Sequence, residues 1–465
     1  MKTIIVWYRN DLRVSDHPAL ARAVNDADQI VPVFIFDPAI YSGKHASSNR
    51  NRFLLECLED LKMSLKMRGG DLVIRIGDTV EELQQLTSSV HADAIYYTAD
   101  YSPYAIKRDK TVHAHFSEDS TEVRSFPGRL IVSSVDKITT KAGTSHKVFT
   151  SFWKAWQQVG RRSMATIPEK VQLPSDVEIG QLPNLKDLVD DKDLSPSAQK
   201  GGEAKAREHL EVFLRSDIHA YHDMNNDMAA DRTSRMSAYV HFGCISPLEI
   251  ESRLPSSECA RAWHRQLAWR EFYHYILLKN PSNSKQEFQE KYHKLQWHRS
   301  DELLSAWQQG MTGYPVVDAA MRQLNKEGWV HNRARLIVGS FLTKDLWLDW
   351  RQGEAYFMKM LLDGDQANNN GNWQWIASVG VDPAPVYRRL YNPSLQRDRF
   401  DPTGEYVRRY VPELKNVQDK YLSEPWLMPD DIQREAGCIV GIDYPKPVVD
   451  HKEARLFALE QYRSL

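Results

Sequence analysis

The sequence predicts a molecule in two parts, an N-terminal α/β domain built on a doubly wound parallel sheet and a larger all-α domain after it. Three observations carry that prediction. Residues 1–135 alternate short apolar runs with amphipathic segments. Beyond Glu203 β-branched runs are few and a helical period dominates. Tryptophan is concentrated in that second part: nine of the 13 Trp lie between Trp263 and Trp375.

The strand-like runs are residues 3–8, 31–36, 71–76, 94–97 and 130–133, rich in β-branched and aromatic side chains. Parallel strands buried on both faces read as such near-continuous apolar stretches. Amphipathic segments at 53–67 and 80–86 fall between them, so strand and helix alternate, with a ligand crevice expected at the strands' carboxyl ends. The first strand runs into Arg9-Asn10-Asp11-Leu12-Arg13. Neither a GxGxxG fingerprint nor a GxxxxGK[ST] loop follows, which excludes those two nucleotide-binding modes. Residues 168–202 are acidic and punctuated by proline, as expected of a long connection. The expected organisation is therefore a sheet domain at 1–135, a connection at 136–202 and a helical domain at 203–465. In the last, helices are expected at 203–215, 261–278, 300–309, 315–326, 334–346 and 356–362.

Composition narrows the functional classes. The 465 residues are 42% hydrophobic and 26% charged, the balance of a globular protein. No apolar run approaches the ~18 residues of a membrane helix. The N-terminal apolar run turns charged at Arg9 and does not read as a signal peptide. Cys57, Cys244, Cys259 and Cys438 form no CxxC pair, so neither a disulfide framework nor a metal site is expected and a cytoplasmic location is. A net charge of −2 means that any contact with nucleic acid must come from a local basic patch.

Four motifs can carry chemistry. Thr233-Ser234-Arg235-Met236-Ser237 places hydroxyls around an Arg at a helix start, which suits an anion and equally an ordinary N-cap. Trp263, Gln266 and Arg270 share a helical face with Trp269 beside them, an arrangement for a flat heteroaromatic ligand or for plain core packing. Asn332 and Arg335 stand at i and i+3. The string 363–375, DGDQANNNGNWQW, opens like a calcium loop but has Ala367 at the fifth position, Asn368 at the sixth and Gln374 at the twelfth, which excludes an EF-hand. It reads instead as a polar loop running into two indoles, with carboxylates and amides able to read the edge of a ring.

These motifs, together with WYRNDLRVSDHPAL (7–20), WREFY (269–273), TGYPVVDAAMRQL (312–324), GWVHNRAR (328–335) and YNPSLQ (391–396), resemble the photolyase/cryptochrome flavoproteins from end to end. Within that family the chain looks most like the bacterial enzymes that repair cyclobutane pyrimidine dimers. The resemblance implies FAD folded into a U inside the helical domain. Tyr221, Thr233, Ser234, Arg235 and Ser237 would hold its phosphates and ribitol. Trp263, Gln266, Arg270 and Asn332 would line the rest, Arg335 would pair with Asp363, and Asp363 and Asp365 would meet the ring and ribose. Asn369 matches the position facing flavin N5.

The implied reaction is light-driven electron donation from reduced FAD to a dimer flipped out of UV-damaged DNA. Trp269 and Trp375 match the pair that sandwiches the dimer, with Asn332, Arg333 and Leu336 on the substrate side. Trp373, Trp350 and Trp297 match the chain that carries electrons from the surface during photoreduction. Gln266 stands where dimer-repair enzymes commonly carry Glu, and Leu336 where they carry Met; both bear on repair efficiency. A (6-4) lesion enzyme would need a His pair that residues 331–336 lack. For a second, light-harvesting chromophore, Tyr104 and Ala105 replace the Asn-Glu pair of folate-type sites, which favours a deazaflavin or flavin antenna, or none. Arg388, Arg389, Arg397, Arg399, Arg408 and Arg409 are candidates for a phosphate-binding rim. The chain is read as a monomer, and the alternative function is a blue-light photoreceptor that signals without repair.

Overall fold

Thr3–Tyr8 (β1) is buried along its whole length. It pairs in parallel with Gln29–Phe36 (β2) on one side and Ala94–Thr98 (β4) on the other, so Trp7 stands opposite both Val33 and Tyr97. Val73–Ile76 (β3) and Glu122–Phe126 (β5) complete a five-stranded sheet of order β3-β2-β1-β4-β5, parallel throughout. This is a computed structural model, and it describes residues 1–465 except 42, 44, 45, 119, 120, 191, 192 and 383.

Helices α1 (Pro18–Asp26), α2 (Ser48–Lys66), α3 (Thr79–Val90) and α4 (Pro103–Phe116) alternate with the strands, and each starts at a side-chain cap: His17, Ser47, Asp78 and Ser102. The doubly wound sheet is thus as predicted, with one correction. The fifth strand is not 130–133 but the half-exposed, charged Glu122–Phe126, a composition that suits a sheet edge. The apolar run at 130–132 is buried for another reason. It leaves the sheet and docks on the helical domain, where the backbone N–H groups of Ile131 and Val132 donate to the carboxylate of Glu271.

The connection at 136–202, of which 191 and 192 lie outside the described residues, is tied down rather than loose. Ile30 N donates to Gln172 O at 2.7 Å and Ile74 N to Ile179 O at 2.7 Å, so it runs along the sheet. It also carries a helix, α5 (Phe149–Trp156), that packs on the helical domain.

In the helical part α6 (Glu203–Arg215) matches its expected bounds, and α7 (Glu258–Lys279), α8 (Pro315–Glu327), α9 (Asn332–Ser340), α10 (Trp350–Met360) and α11 (Gln366–Ile376) form the scaffold of the site. The helix expected at 334–346 is α9 followed by a π-helical turn, Phe341–Asp345, which holds the buried Lys344. One face of the sheet belongs to the same apolar cluster as Trp263, Phe272 and Tyr275 of α7. The two parts therefore share a core. Among the described residues no helix is long and apolar enough to cross a membrane.

Candidate functional site

α7, α9, α11 and the loop that leads into the short helix Ser237–His241 enclose a cavity of about 430 Å³. That size falls within the ~300–1,000 Å³ of small-molecule and cofactor pockets. Every residue assigned to the cofactor from the sequence lies on its wall, from Tyr221 at the start of the short helix Tyr221–Met224 to Asn369 on α11.

α7 supplies one wall through helical spacing: Phe272, Tyr275 and Ile276 face the core, Gln266, Trp269 and Arg270 face the cavity, and Trp263 and Tyr273 belong to both. The opposite wall corrects the sequence reading. Residues 366–376 form a helix, not a loop. Asp365 caps it by accepting from Asn368 N at 2.9 Å. Gly371 lets it lie close on α7, since a Cβ there would overlap the ring of Tyr273. The amides at 368–370 and 372 thus project from a rigid rod.

The deep end is charged and paired. Arg335 holds Asp363 through two bonds, of 2.9 and 3.3 Å, and its Nε donates to Val330 O at 2.9 Å. Burial alone would push the Asp363 carboxyl up; the Arg335 guanidinium outweighs it and holds it below its usual value. Asp365 faces Arg129 at 3.1 Å, with His241 at 3.7 Å and His274 at 3.6 Å. Burial again opposes ionisation. The neighbouring histidines and the fixed charge of Arg129 win and hold Asp365 well below the carboxylate range. Burial keeps His274 at about 4, so its ring is neutral at neutral pH.

The hydroxyl loop is strained in a useful way. Asp231 and Arg235 both adopt left-handed backbone, at φ 49° and 48°. The Arg235 guanidinium lines the cavity but is committed to Asp231 at 2.6 Å, to Glu327 at 2.8 Å and to the face of Trp329 at 4.1 Å. Ser234 Oγ accepts from Trp263 Nε1 at 3.1 Å. Thr233 Oγ1 and Arg270 Nη2 are buried polar atoms with no protein partner, and both belong to cavity-lining residues. Buried donors and acceptors are rarely left so unless something else meets them. Aromatic walls, two unpaired polar atoms and a rim of amides fit a large flat group bearing phosphates, and so fit FAD.

At the mouth stand two half-buried indoles. Trp269 stacks on Phe149 of α5, with centroids 3.7 Å apart and planes 8° apart. Trp375 donates to Asp382 at 3.3 Å and lies under the Arg389 guanidinium at 4.1 Å. Asn332 and Leu336 line the same opening. Arg333 does not reach it. Its guanidinium turns away to Asn226, at 2.6 Å, and stacks on Phe400.

Of the three indoles matched to an electron path, Trp373 is on the cavity wall, Trp350 is fully buried and Trp297 is half-buried against Trp347 at 4.8 Å. The basic rim is smaller than expected. Arg389 and Arg397 are buried and paired with Asp382 and Asp398, and Arg408 is tied to Asp419; Arg388, Arg399 and Arg409 remain exposed.

Sequence reasoning missed Trp329, Phe357, Tyr273, Asn372 and His241 on the cavity wall. Trp329 could have been found, because it stands three residues before Asn332. Phe357 and Tyr273 carry no signal that separates a lining ring from a core ring.

A second cavity, of about 200 Å³, opens between the sheet and the helical domain. It is lined by Asn10 after β1 and by Asp100 and Ser102 after β4, with Tyr41, Arg50 and Phe242. β1 and β4 are the neighbouring strands at which the order of the sheet reverses, the position where open parallel sheets bind ligands.

Comparison with known proteins is consistent along the whole chain. Residues 4–173 match the family model described as DNA photolyase, and residues 263–464 the one described as the FAD binding domain of DNA photolyase. A deoxyribodipyrimidine photo-lyase of Streptomyces griseus is 37% identical over 98% of each chain. A bacterial class III photolyase from Agrobacterium tumefaciens superposes with a TM-score of 0.93 at 34% identity, covering 100% of this chain and 98% of that one. A cryptochrome from Synechocystis sp. PCC6803 gives 0.92 at 27% identity over 99% of both chains. An archaeal photolyase from Sulfolobus tokodaii, solved with two FAD molecules, gives 0.85 at 29% over the full length of both.

Proposed function

The chain belongs to the DNA photolyase family, and from that premise we propose that it is a deoxyribodipyrimidine photo-lyase, a light-dependent enzyme that splits cyclobutane pyrimidine dimers in UV-damaged DNA. The observation that carries the reading is the pair Trp269 and Trp375, two half-buried indoles at the mouth of a cavity suited to FAD. A flipped base stacked on an aromatic ring gains roughly 1–3 kcal/mol, which offsets the few kcal/mol that flipping costs. When bound, reduced FAD would supply the light-driven donation of one electron to the dimer.

The protein's own residues orient and shield. Thr233, Ser234, Ser237 and the left-handed turn at Arg235 would hold the phosphates; Arg335, through Asp363, would fix the ring side. Asn369 would address N5 from α11, and its amide Nδ2 is held by Glu354 O at 2.9 Å. Gln266 and Asn332, both exposed at the opening, would hydrogen-bond the dimer. Trp373, Trp350 and Trp297 would refill oxidised flavin with electrons.

The two FAD molecules of the Sulfolobus tokodaii protein support a second chromophore of deazaflavin or flavin type; the 200 Å³ cavity at the strands' carboxyl ends is the place for it, although it is smaller than the ~300 Å³ from which cofactor pockets start. We take the enzyme to act as a monomer in the cytoplasm.

The test is to illuminate the reduced holoprotein with a dimer-containing oligonucleotide in near-ultraviolet and blue light and assay for restored thymines. Restoration only in the light is the expected result. No restoration by protein that retains FAD would move the assignment to the photoreceptor reading, which the Synechocystis cryptochrome represents.

A further inference from the structure

The two indoles at the mouth are held in different ways. Trp375 has a directional anchor, because its N–H donates to Asp382 at 3.3 Å and the Arg389 guanidinium covers its ring. Among the described residues the Trp269 indole N–H has no protein acceptor, so ring contacts set its plane. Three rings touch it. Phe272 meets it edge-on at 5.7 Å, and Tyr273 lies at 5.7 Å with planes 30° apart. Both belong to α7, the helix that carries Trp269. The third comes from another element and is much closer: Phe149 of α5, at 3.7 Å and 8°.

Phe149 is the first residue of α5. It is 5% exposed and does not line the cavity, so it cannot itself offer a face to a base. Its own ring is fixed from two sides. Phe272 meets it edge-on at 5.9 Å, and Trp153, one turn along α5, lies at 6.4 Å with planes 18° apart. With Phe149 flat against one face, Trp269 is left with its other face and its edges for the cavity, in a plane set from α5.

We propose that Phe149 is a positioning residue for dimer recognition: it covers one face of Trp269 and fixes the ring so that the opposite face is ready for the flipped dimer. This rests on the reading of Trp269 and Trp375 as the dimer clamp. A ring already held in its working plane loses little freedom when the substrate arrives, whereas a loose ring must be ordered at the expense of affinity. The connection between the two parts of the molecule thereby acts on the substrate site through α5.

The test measures, in the dark, the affinity of the FAD-containing holoprotein for a dimer-containing oligonucleotide and for the same oligonucleotide undamaged. Phe149→Leu keeps a buried apolar side chain but removes the flat face; Phe149→Tyr keeps the face. Phe149→Leu should weaken dimer binding about fivefold, the scale of one aromatic pair, with undamaged DNA binding and flavin content unchanged. Phe149→Tyr should bind the dimer as the native protein does. In protein that already carries Trp269→Ala, adding Phe149→Leu should cost nothing further, because the effect passes through the indole. Unchanged dimer affinity in Phe149→Leu, an equal loss for both oligonucleotides, or the same loss with and without Trp269 overturns the proposal. Phe149→Met is the second variant without a flat face; loss of flavin from both variants would mean that Phe149 serves the fold and would overturn the proposal as well. Native protein that binds both oligonucleotides alike overturns the dimer-clamp reading and this proposal with it. A native preference that Phe149→Leu leaves intact overturns the proposal alone.

Discussion

The deep end and the mouth of the cavity are built on opposite principles. At the deep end two carboxylates, Asp363 and Asp365, are buried and each is held by an arginine, Arg335 and Arg129. At the mouth two indoles, Trp269 and Trp375, are supported by a neighbour, Phe149 and Arg389 respectively, and stay half-exposed. Charges in a dry site are committed to the protein, and disturbing them costs folding and cofactor retention. Supported aromatic rings keep surface free for a visitor, and removing one costs ligand binding instead.

The sharpest way to break this contrast is Asp363→Asn. It leaves Arg335 without its counter-charge, at a cost of about 3 kcal/mol, the low end for a buried pair because Arg335 keeps some solvent contact. The expected outcome is a lower melting temperature and purified protein without flavin absorbance. A variant that keeps both would show that the deep end is not where the structure commits its charge.

Trp375→Ala addresses the mouth. Flavin content should be unchanged, while affinity for dimer-containing DNA in an anisotropy titration falls by roughly 1–3 kcal/mol. Loss of flavin here would erase the distinction between the two ends.

His274→Gln sharpens the electrostatic half. Burial holds His274 near 4 against an ordinary value of 6.5. Between those limits the unfolded chain binds the proton and the native protein does not, so this group makes the protein lose stability as pH falls from 6.5 towards 4. Denaturant melts of native protein and variant across that window should differ in slope by up to about 1.4 kcal/mol per pH unit, the variant being flatter. Parallel slopes would mean that His274 is charged in the native state.

The smallest effect is expected at the rim. Arg388 is exposed, and Arg388→Ala should reduce the salt dependence of DNA binding by about one phosphate contact while leaving sequence preference untouched. No change in the salt slope would place the DNA backbone elsewhere.

The legible residues share a property. Trp263, Gln266, Trp269 and Arg270 lie within eight positions on one helix, and Asp363, Asp365, Asn369, Trp373 and Trp375 within thirteen. Chemistry confined to one helical face leaves a periodic trace in the chain. The second cavity lies at the strands' carboxyl ends, where the alternation of strand and helix leads one to expect a crevice, but its residues left no such trace, because Asn10, Arg50, Asp100 and Phe242 meet only where strands β1 and β4 end against the helical domain. Arg389 is a candidate for a phosphate-binding rim by charge alone, which does not reveal that Asp382 stands against its guanidinium; Arg397 has its partner Asp398 next to it in the sequence, but its burial is set by the fold.

The first four buried strands, the helical character of the second part and the residue types that surround the cavity were all determined by the sequence itself, since burial and period are local properties of the chain. Whether 366–376 would coil or form a rod was decided by tertiary structure, through the close approach that Gly371 permits against Tyr273. So was the fate of 130–132, whose apolar run suits a strand equally well until Glu271 claims its backbone N–H groups. The support behind Trp269 likewise comes from Phe149, 120 positions earlier in the chain. Contacts between distant segments depend on which surfaces the fold brings together, and no periodicity within either segment records them.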